Sequence, residues 1–195
     1  MKSRRGVSPR IEKERGGTRR LLSMTNLLDP GDRAAFVAAL GHLFEHSPWV
    51  ADETFDRRPF RDAAHLHAAL CETLQRASPE RQLALINAHP DLAGRLARLG
   101  QLTAASAQEQ AGAGLDRLSA DELAAFQKLN DDYRARFGFP FIICARLNAK
   151  DTIMAAMRER IKNSPAAEHA AALAEIEKIA RLRLNDVLES YGRKT

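Results

Sequence analysis

The feature that most constrains this chain is a long apolar stripe near its C-terminal end. Between residues 165 and 190, Leu173, Ile176, Ile179, Ala180, Leu184 and Val187 fall on one broad face at about 100° per residue, and Ser164-Pro165 suits the start of a helix. A helix with so wide an apolar face needs other elements packed over it, and the rest of the chain supplies further helices. Phe36, Val37, Leu40, Leu43 and Phe44 predict one helix closing before Ser47-Pro48, and Leu66, Leu70 and Leu74 predict a second. A third is predicted over residues 79–88, with Ser78 as N-cap, Pro79 at the first position, and Leu83 and Ile86 on one face. A short helix over Leu92–Leu99, stopped by Gly100, follows. Ser106-x-x-Glu109 and Ser119-x-x-Glu122 read as capping boxes, the second opening a helix that stops at Gly138 and Pro140. Asp151 is positioned to cap the helix that carries Ile153, Met154, Met157 and Ile161. The one strand-like run, Phe139–Cys144, is short and contains proline. The expectation is an all-α, single compact domain of about eight helices over residues 24–195.

Charge is unevenly distributed. Eight Lys or Arg against Glu12 and Glu14 give residues 1–20 a charge of +6, more than the +5 of the whole chain, so residues 21–195 carry −1. A near-neutral body gives no reason to expect nucleic-acid binding by the fold. Residues 1–23 are expected to be a basic, disordered leader without function, with Met24 an alternative start. No run of 18 apolar residues exists, so no membrane span is expected. Cys71 and Cys144 have neither metal-site nor disulfide spacing and read as buried thiols of a reduced, cytoplasmic compartment.

Three features carry candidate chemistry. Pro90 ends the third helix and leaves His89 at its C-terminal mouth, beside unpaired carbonyls that favour a cation. That is a seat for a proton-transfer group, or simply for a surface histidine at a helix end. Arg183 falls inside the apolar stripe, where a cation must find an anion or lie in a polar pocket. An ion pair with a core-facing carboxylate, a snorkelling stem and a bound substrate all satisfy that requirement. Phe139-Pro140-Phe141-Ile142-Ile143 reads as a pocket wall with free backbone amides and carbonyls, or as buried core. A competing motif, His42-x-x-Glu45-His46, fits a zinc-hydrolase pattern. On a continuous helix its two histidines would point away from the core face, which argues against a metal site.

Beyond these features, a series of segments resembles the 2-oxo-4-hydroxy-4-carboxy-5-ureidoimidazoline (OHCU) decarboxylase family. In order they are Phe44-Glu45-His46-Ser47-Pro48-Trp49-Val50, Arg58-Pro59-Phe60, His89-Pro90-Asp91-Leu92-Ala93, Ser106–Leu115, Leu129-Asn130-Asp131-Asp132-Tyr133, Phe137–Ile142 and Ile179–Leu184, spread over about 140 residues. The resemblance implies an OHCU decarboxylase-like helical fold and a carboxy-lyase that makes (S)-allantoin in the last of three steps from urate. It implies His89, Glu109 and Arg183 as catalytic residues. It implies Pro90, Ser106, Gln110, Phe139, Phe141, Ile142 and Ile143 as substrate contacts. It further implies a homodimer with a small-molecule ureidoimidazoline substrate, without cofactor or metal, and without nucleic-acid or membrane partners. Glu109 also has a plain structural reading as the capping-box partner of Ser106, beside helix N-terminal amides that could meet substrate oxygens. The rival readings are a non-enzymatic helical interaction module with a basic N-terminal arm and a zinc hydrolase using His42, Glu45 and His46. Deleting residues 1–23 separates the first rival from the enzyme.

Overall fold

The computed structural model describes residues 27–29, 31–94, 97 and 99–192. The basic leader over residues 1–23 and Met24 lie outside them, as do three residues of the short helix expected over Leu92–Leu99. The described chain is all-α. Its helices are α1 (Arg33–Leu40), α2 (Trp49–Thr54), α3 (Ala63–Arg76), α4 (Pro79–Ala88), α5 (Ala104–Gly112), α6 (Ala120–Phe137), α7 (Lys150–Arg160) and α8 (Pro165–Gly192), with 3₁₀ turns at Phe55–Arg57 and Ala145–Leu147. The 28 residues of α8 extend about 42 Å and form the spine of the fold. Helix α8 packs against α1, α3 and α4, while α2 packs against α1 and α3, and α6 against α7. Leu173, Ile176, Ile179, Ala180 and Leu184 are all buried, as the stripe requires.

Helix ends follow local side chains, and three differ from expectation. Helix α1 stops at Leu40, so Leu43 and Phe44 reach the core from an irregular segment rather than from a helix. Helix α5 starts at Ala104 with Thr103 as its cap, because the Thr103 hydroxyl accepts from the Ser106 amide at 3.3 Å. Ser106 is therefore inside the first turn and Glu109 lies in mid-helix, so the Ser106–Glu109 capping box does not form. Asp151 lies in the first turn of α7 and Ala149 takes the cap position without a side-chain bond. On α4 the buried face is Gln82, Leu85 and Ile86, and Leu83 is exposed. The capping box at Ser119 and Glu122 does form, and Gly138 ends α6 in the left-handed conformation at φ 77°.

Buried Glu168, near the start of α8, organises the segment after α6. It accepts from the Tyr133 hydroxyl, from Arg160 Nε (3.0 Å) and from Asn163 Nδ2 (2.7 Å). Arg160 Nη1 in turn donates to the Ile142 carbonyl at 2.8 Å, and its guanidinium stacks on Phe141. Glu168→Gln removes the charge that holds Arg160 in place. It is expected to cost about 1.5–3 kcal/mol in thermal or urea unfolding and to lower turnover only through the displaced segment. An unchanged unfolding midpoint would contradict this assignment.

Candidate active site

Pro90 holds His89 in extended backbone geometry (φ −76°, ψ 138°), so α4 ends at Ala88 and the imidazole turns inward. His89 is 7% exposed and its Nδ1 lies 3.0 Å from the Leu85 carbonyl. A carbonyl only accepts, so Nδ1 carries the proton and Nε2 of the neutral ring is left as an acceptor. Burial pushes the His89 pKa below the ordinary histidine value, against the opposite influence of the Leu85 carbonyl and the Glu45 carboxylate. The cation expected at this helix end is thus disfavoured: desolvation outweighs the carbonyls. Nor is His89 a surface histidine.

Arg183, 5% exposed, is fully engaged. Its Nε and Nη2 donate to the two oxygens of Glu109 at 2.8 and 2.7 Å, a two-pronged pair. Nη1 donates to Glu45 at 3.1 Å, and Nη2 also reaches the Ser106 hydroxyl at 3.3 Å. The anion that the apolar stripe demanded is therefore supplied by the protein itself, twice over. Mid-helix placement on α5 is what turns Glu109 toward α8 instead of toward the helix N-terminus. The helix N-terminal amides foreseen as substrate donors are not beside Glu109.

These groups border one cavity of about 40 Å³, lined among others by His89, Pro90, Ser106, Glu109, Gln110, Phe141, Ile142, Ile143 and Arg183. Nine of the ten candidate residues are thus brought together. The tenth, Phe139, instead packs against Tyr133, Phe137 and His169. Phe139 follows directly on Gly138, whose left-handed conformation ends α6, and its ring stays with the α6 aromatics Tyr133 and Phe137. Gln110 accepts from the Ala93 amide at 3.0 Å and fixes the turn that follows Pro90. On the wall, the Ile142 carbonyl is taken by Arg160 and the Cys144 amide by Glu175, whereas the amides of Ile142 and Ile143 have no protein partner among the described residues.

Several contributors escaped the sequence reading. Leu92, Ala145 and Ile179 line the cavity; Ile179 was legible, one helical turn before Arg183 on the stripe. Glu45 stood in the first family-like segment and in the metal motif, with no role toward Arg183. It is 3% exposed, with its carboxylate turned to Thr103, Ser106 and Arg183, while His42 and His46 are exposed. With α1 ended at Leu40, the helical spacing that the metal motif presupposes is absent. Among the described residues no group of three His, Cys, Asp or Glu is gathered to hold a metal ion.

Comparison with known proteins points the same way. The family model described as OHCU decarboxylase matches residues 31–185. A 2-oxo-4-hydroxy-4-carboxy-5-ureidoimidazoline decarboxylase of Halalkalicoccus jeotgali is 44% identical over 160 residues, covering 82% of this chain and 89% of that protein. Its counterpart in Haloferax volcanii is 43% identical, covering 87% and 96%. The crystal structure of an (S)-allantoin synthase superimposes with a TM-score of 0.66 at 29% identity, covering 86% of this chain; this chain spans about half of that one, 54%. With its family model matched over most of its length and its relatives aligned nearly end to end, the chain belongs to the OHCU decarboxylase family.

Proposed function

We propose that this protein decarboxylates 2-oxo-4-hydroxy-4-carboxy-5-ureidoimidazoline to (S)-allantoin in urate breakdown. The observation that carries the reading is a buried, neutral-favoured His89 whose Nδ1 is committed to Leu85, bordering the same cavity as the Arg183–Glu109 pair. In the proposed reaction the bond from the ring carbon to the carboxylate breaks and CO₂ leaves. The bonding pair passes into the adjacent C=N unit, so the substrate supplies its own electron sink. The C=N nitrogen takes up a proton, His89 Nε2 accepts the proton of the neighbouring hydroxyl as its oxygen becomes the ring carbonyl, and the carbon that bears the ureido group is protonated, so the loss of CO₂ consumes one solvent proton overall. His89 Nε2 borders the cavity as a free acceptor, because Nδ1 carries the proton toward Leu85, which favours His89 for accepting the hydroxyl proton. Arg183 stabilises charge developing on the substrate oxygens. The unpartnered amides of Ile142 and Ile143 suit the carbonyls of a ureido group or ring, with Phe141 as the apolar wall. Ser106 spends its hydroxyl proton on Glu45 and its amide on Thr103, so its part is to hold Arg183.

The test is circular dichroism on freshly generated OHCU: optically active (S)-allantoin should appear faster with the protein than without it. A rate equal to the spontaneous one would overturn the reading. Exhaustive chelation is expected to leave that rate unchanged, since the residues bordering the cavity form no metal ligand set. Loss of turnover restored by Zn²⁺ would contradict this and favour the His42–Glu45–His46 reading. The same proposal includes a homodimer and a cytoplasmic location; sedimentation analysis and fractionation test these. No helix among the described residues is long and apolar enough to cross a membrane.

A further inference from the structure

The two carboxylates on Arg183 are not equivalent. Glu109 borders the cavity, and its side chain is 12% exposed. Glu45 is not among the cavity-lining residues, and its side chain is 2% exposed. It sits on the irregular segment after α1 and is held by donors from two other elements. Thr103 Oγ1 donates to Oε1 at 2.8 Å; Ser106 Oγ and Arg183 Nη1 both donate to Oε2 at 3.1 Å. One carboxylate therefore joins the first turn of α5 to α8 and holds both the Nη1 corner of Arg183 and the Ser106 hydroxyl. The Nε/Nη2 edge of the fork faces Glu109; the Nη1 corner faces Glu45. A cavity of about 40 Å³ is far below the roughly 300–1,000 Å³ usual for ligand sites, so lining groups must shift to admit substrate. Glu109 and Arg183 also border a second, outer cavity of about 530 Å³, which gives Glu109 room to move.

We propose that Glu45 is a positioning residue for the decarboxylation: it anchors Arg183 from behind the cavity, so that the guanidinium stays oriented when the substrate's carboxylate replaces Glu109 at the Nε/Nη2 edge. The proposal rests on the OHCU decarboxylase reading for its kinetic arm. It also has an arm that does not. The charged groups acting on His89 are Glu45, Glu109 and Arg183, and both carboxylates support its protonated form while Arg183 opposes it. Removing the Glu45 charge should then lower the His89 titration midpoint further.

The variants are Glu45→Gln, which keeps the size and loses the charge, and Glu45→Asp, which keeps the charge and withdraws it by one carbon. In the ligand-free protein, NMR titration of the His89 imidazole should give a lower midpoint in Glu45→Gln than in wild type. An unchanged midpoint overturns the electrostatic link, whatever the substrate. With OHCU, KM should rise about tenfold or more in Glu45→Gln, and the acid limb of kcat/KM should move to lower pH. Glu45→Asp should raise KM several-fold and leave the acid limb near its wild-type position. A purely structural role would reduce the folded fraction and leave KM and the acid limb of the folded molecules unchanged; that result overturns the proposal. If Glu45→Gln does not fold, Glu45→Asp decides: a wild-type KM overturns it. Wild-type protein without activity on OHCU, together with a lowered His89 midpoint in Glu45→Gln, would instead refute the substrate and retain the anchor.

Discussion

His89→Asn is expected to fold normally and to lose about 10²–10⁴-fold in kcat/KM, the usual contribution of a general acid–base group. Asparagine offers an amide N–H near the reach of Nδ1, so the bond to the Leu85 carbonyl has a replacement donor. It offers no titratable base to the cavity. The pH dependence follows from the direction of the shift. Burial holds the His89 pKa below the unfolded value of about 6.5. The neutral form that the reaction uses is therefore fully present at neutral pH, and kcat/KM falls only in acid, below the range of an ordinary histidine. Stability carries the same sign. Below about pH 6.5 the unfolded chain binds a proton at this position that the folded chain resists, so acid weakens the fold until the folded pKa is reached. His89→Asn removes that portion of the pH dependence. A variant that retains wild-type kcat/KM within a few-fold would remove His89 from the chemistry. An acid stability profile identical to wild type would show that His89 is not desolvated.

Arg183→Ala should produce the largest loss of stability of any single change at the site. It leaves Glu45 and Glu109, whose side chains are 2% and 12% exposed, without their guanidinium; Glu45 keeps the Thr103 and Ser106 hydroxyls, with His46 Nε2 3.9 Å away. Breaking a buried pair by removing one partner costs roughly 3–5 kcal/mol. For a chain of this size that corresponds to a melting temperature lower by about 6–20 °C. Arg183→Lys keeps the charge but has a single nitrogen for two carboxylates, so it should lose part of the same stability and most of the activity. Glu45 has its pKa pushed down mainly by the Thr103 hydroxyl and Arg183, against desolvation. The stability it gains from Arg183 is thus present above the unfolded carboxylate pKa and is lost as pH falls through the lower, folded value. The deficit of Arg183→Ala relative to wild type should accordingly shrink in acid, where the Glu45 carboxylate left behind protonates. Melts at neutral and acidic pH measure both. A melting temperature within about 2 °C of wild type at neutral pH would mean that the two ion pairs contribute little to the fold.

These two residues also separate what local pattern specifies from what folding adds. A helical all-α chain, the long C-terminal helix and the burial of Arg183 were legible, because period and punctuation act within a few residues: Ser119 with Glu122, Gly138, and Pro79 and Pro90 around α4. The misread starts of α5 and α7 share a cause. In both, the first turn lies further toward the N-terminus than the expected cap, at α5 behind the Thr103 side chain and at α7 behind Ala149 with no side-chain cap at all, so packing rather than the local cap sets the start. Thr103 prevailed over Ser106, and that shift by one turn moved Glu109 from a capping role to the Arg183 pair.

By itself, the sequence determined that His89 stands at a proline-terminated helix end and that an arginine on the apolar face of α8 needs an anion. Only the tertiary structure decided which anion that is and which charge state His89 prefers. Glu45, Glu109 and Arg183 come from three segments separated by up to 138 residues, and no periodicity links them. Charge partners and desolvation are set by what packs across space, and a one-dimensional pattern records only which side of each helix is turned inward.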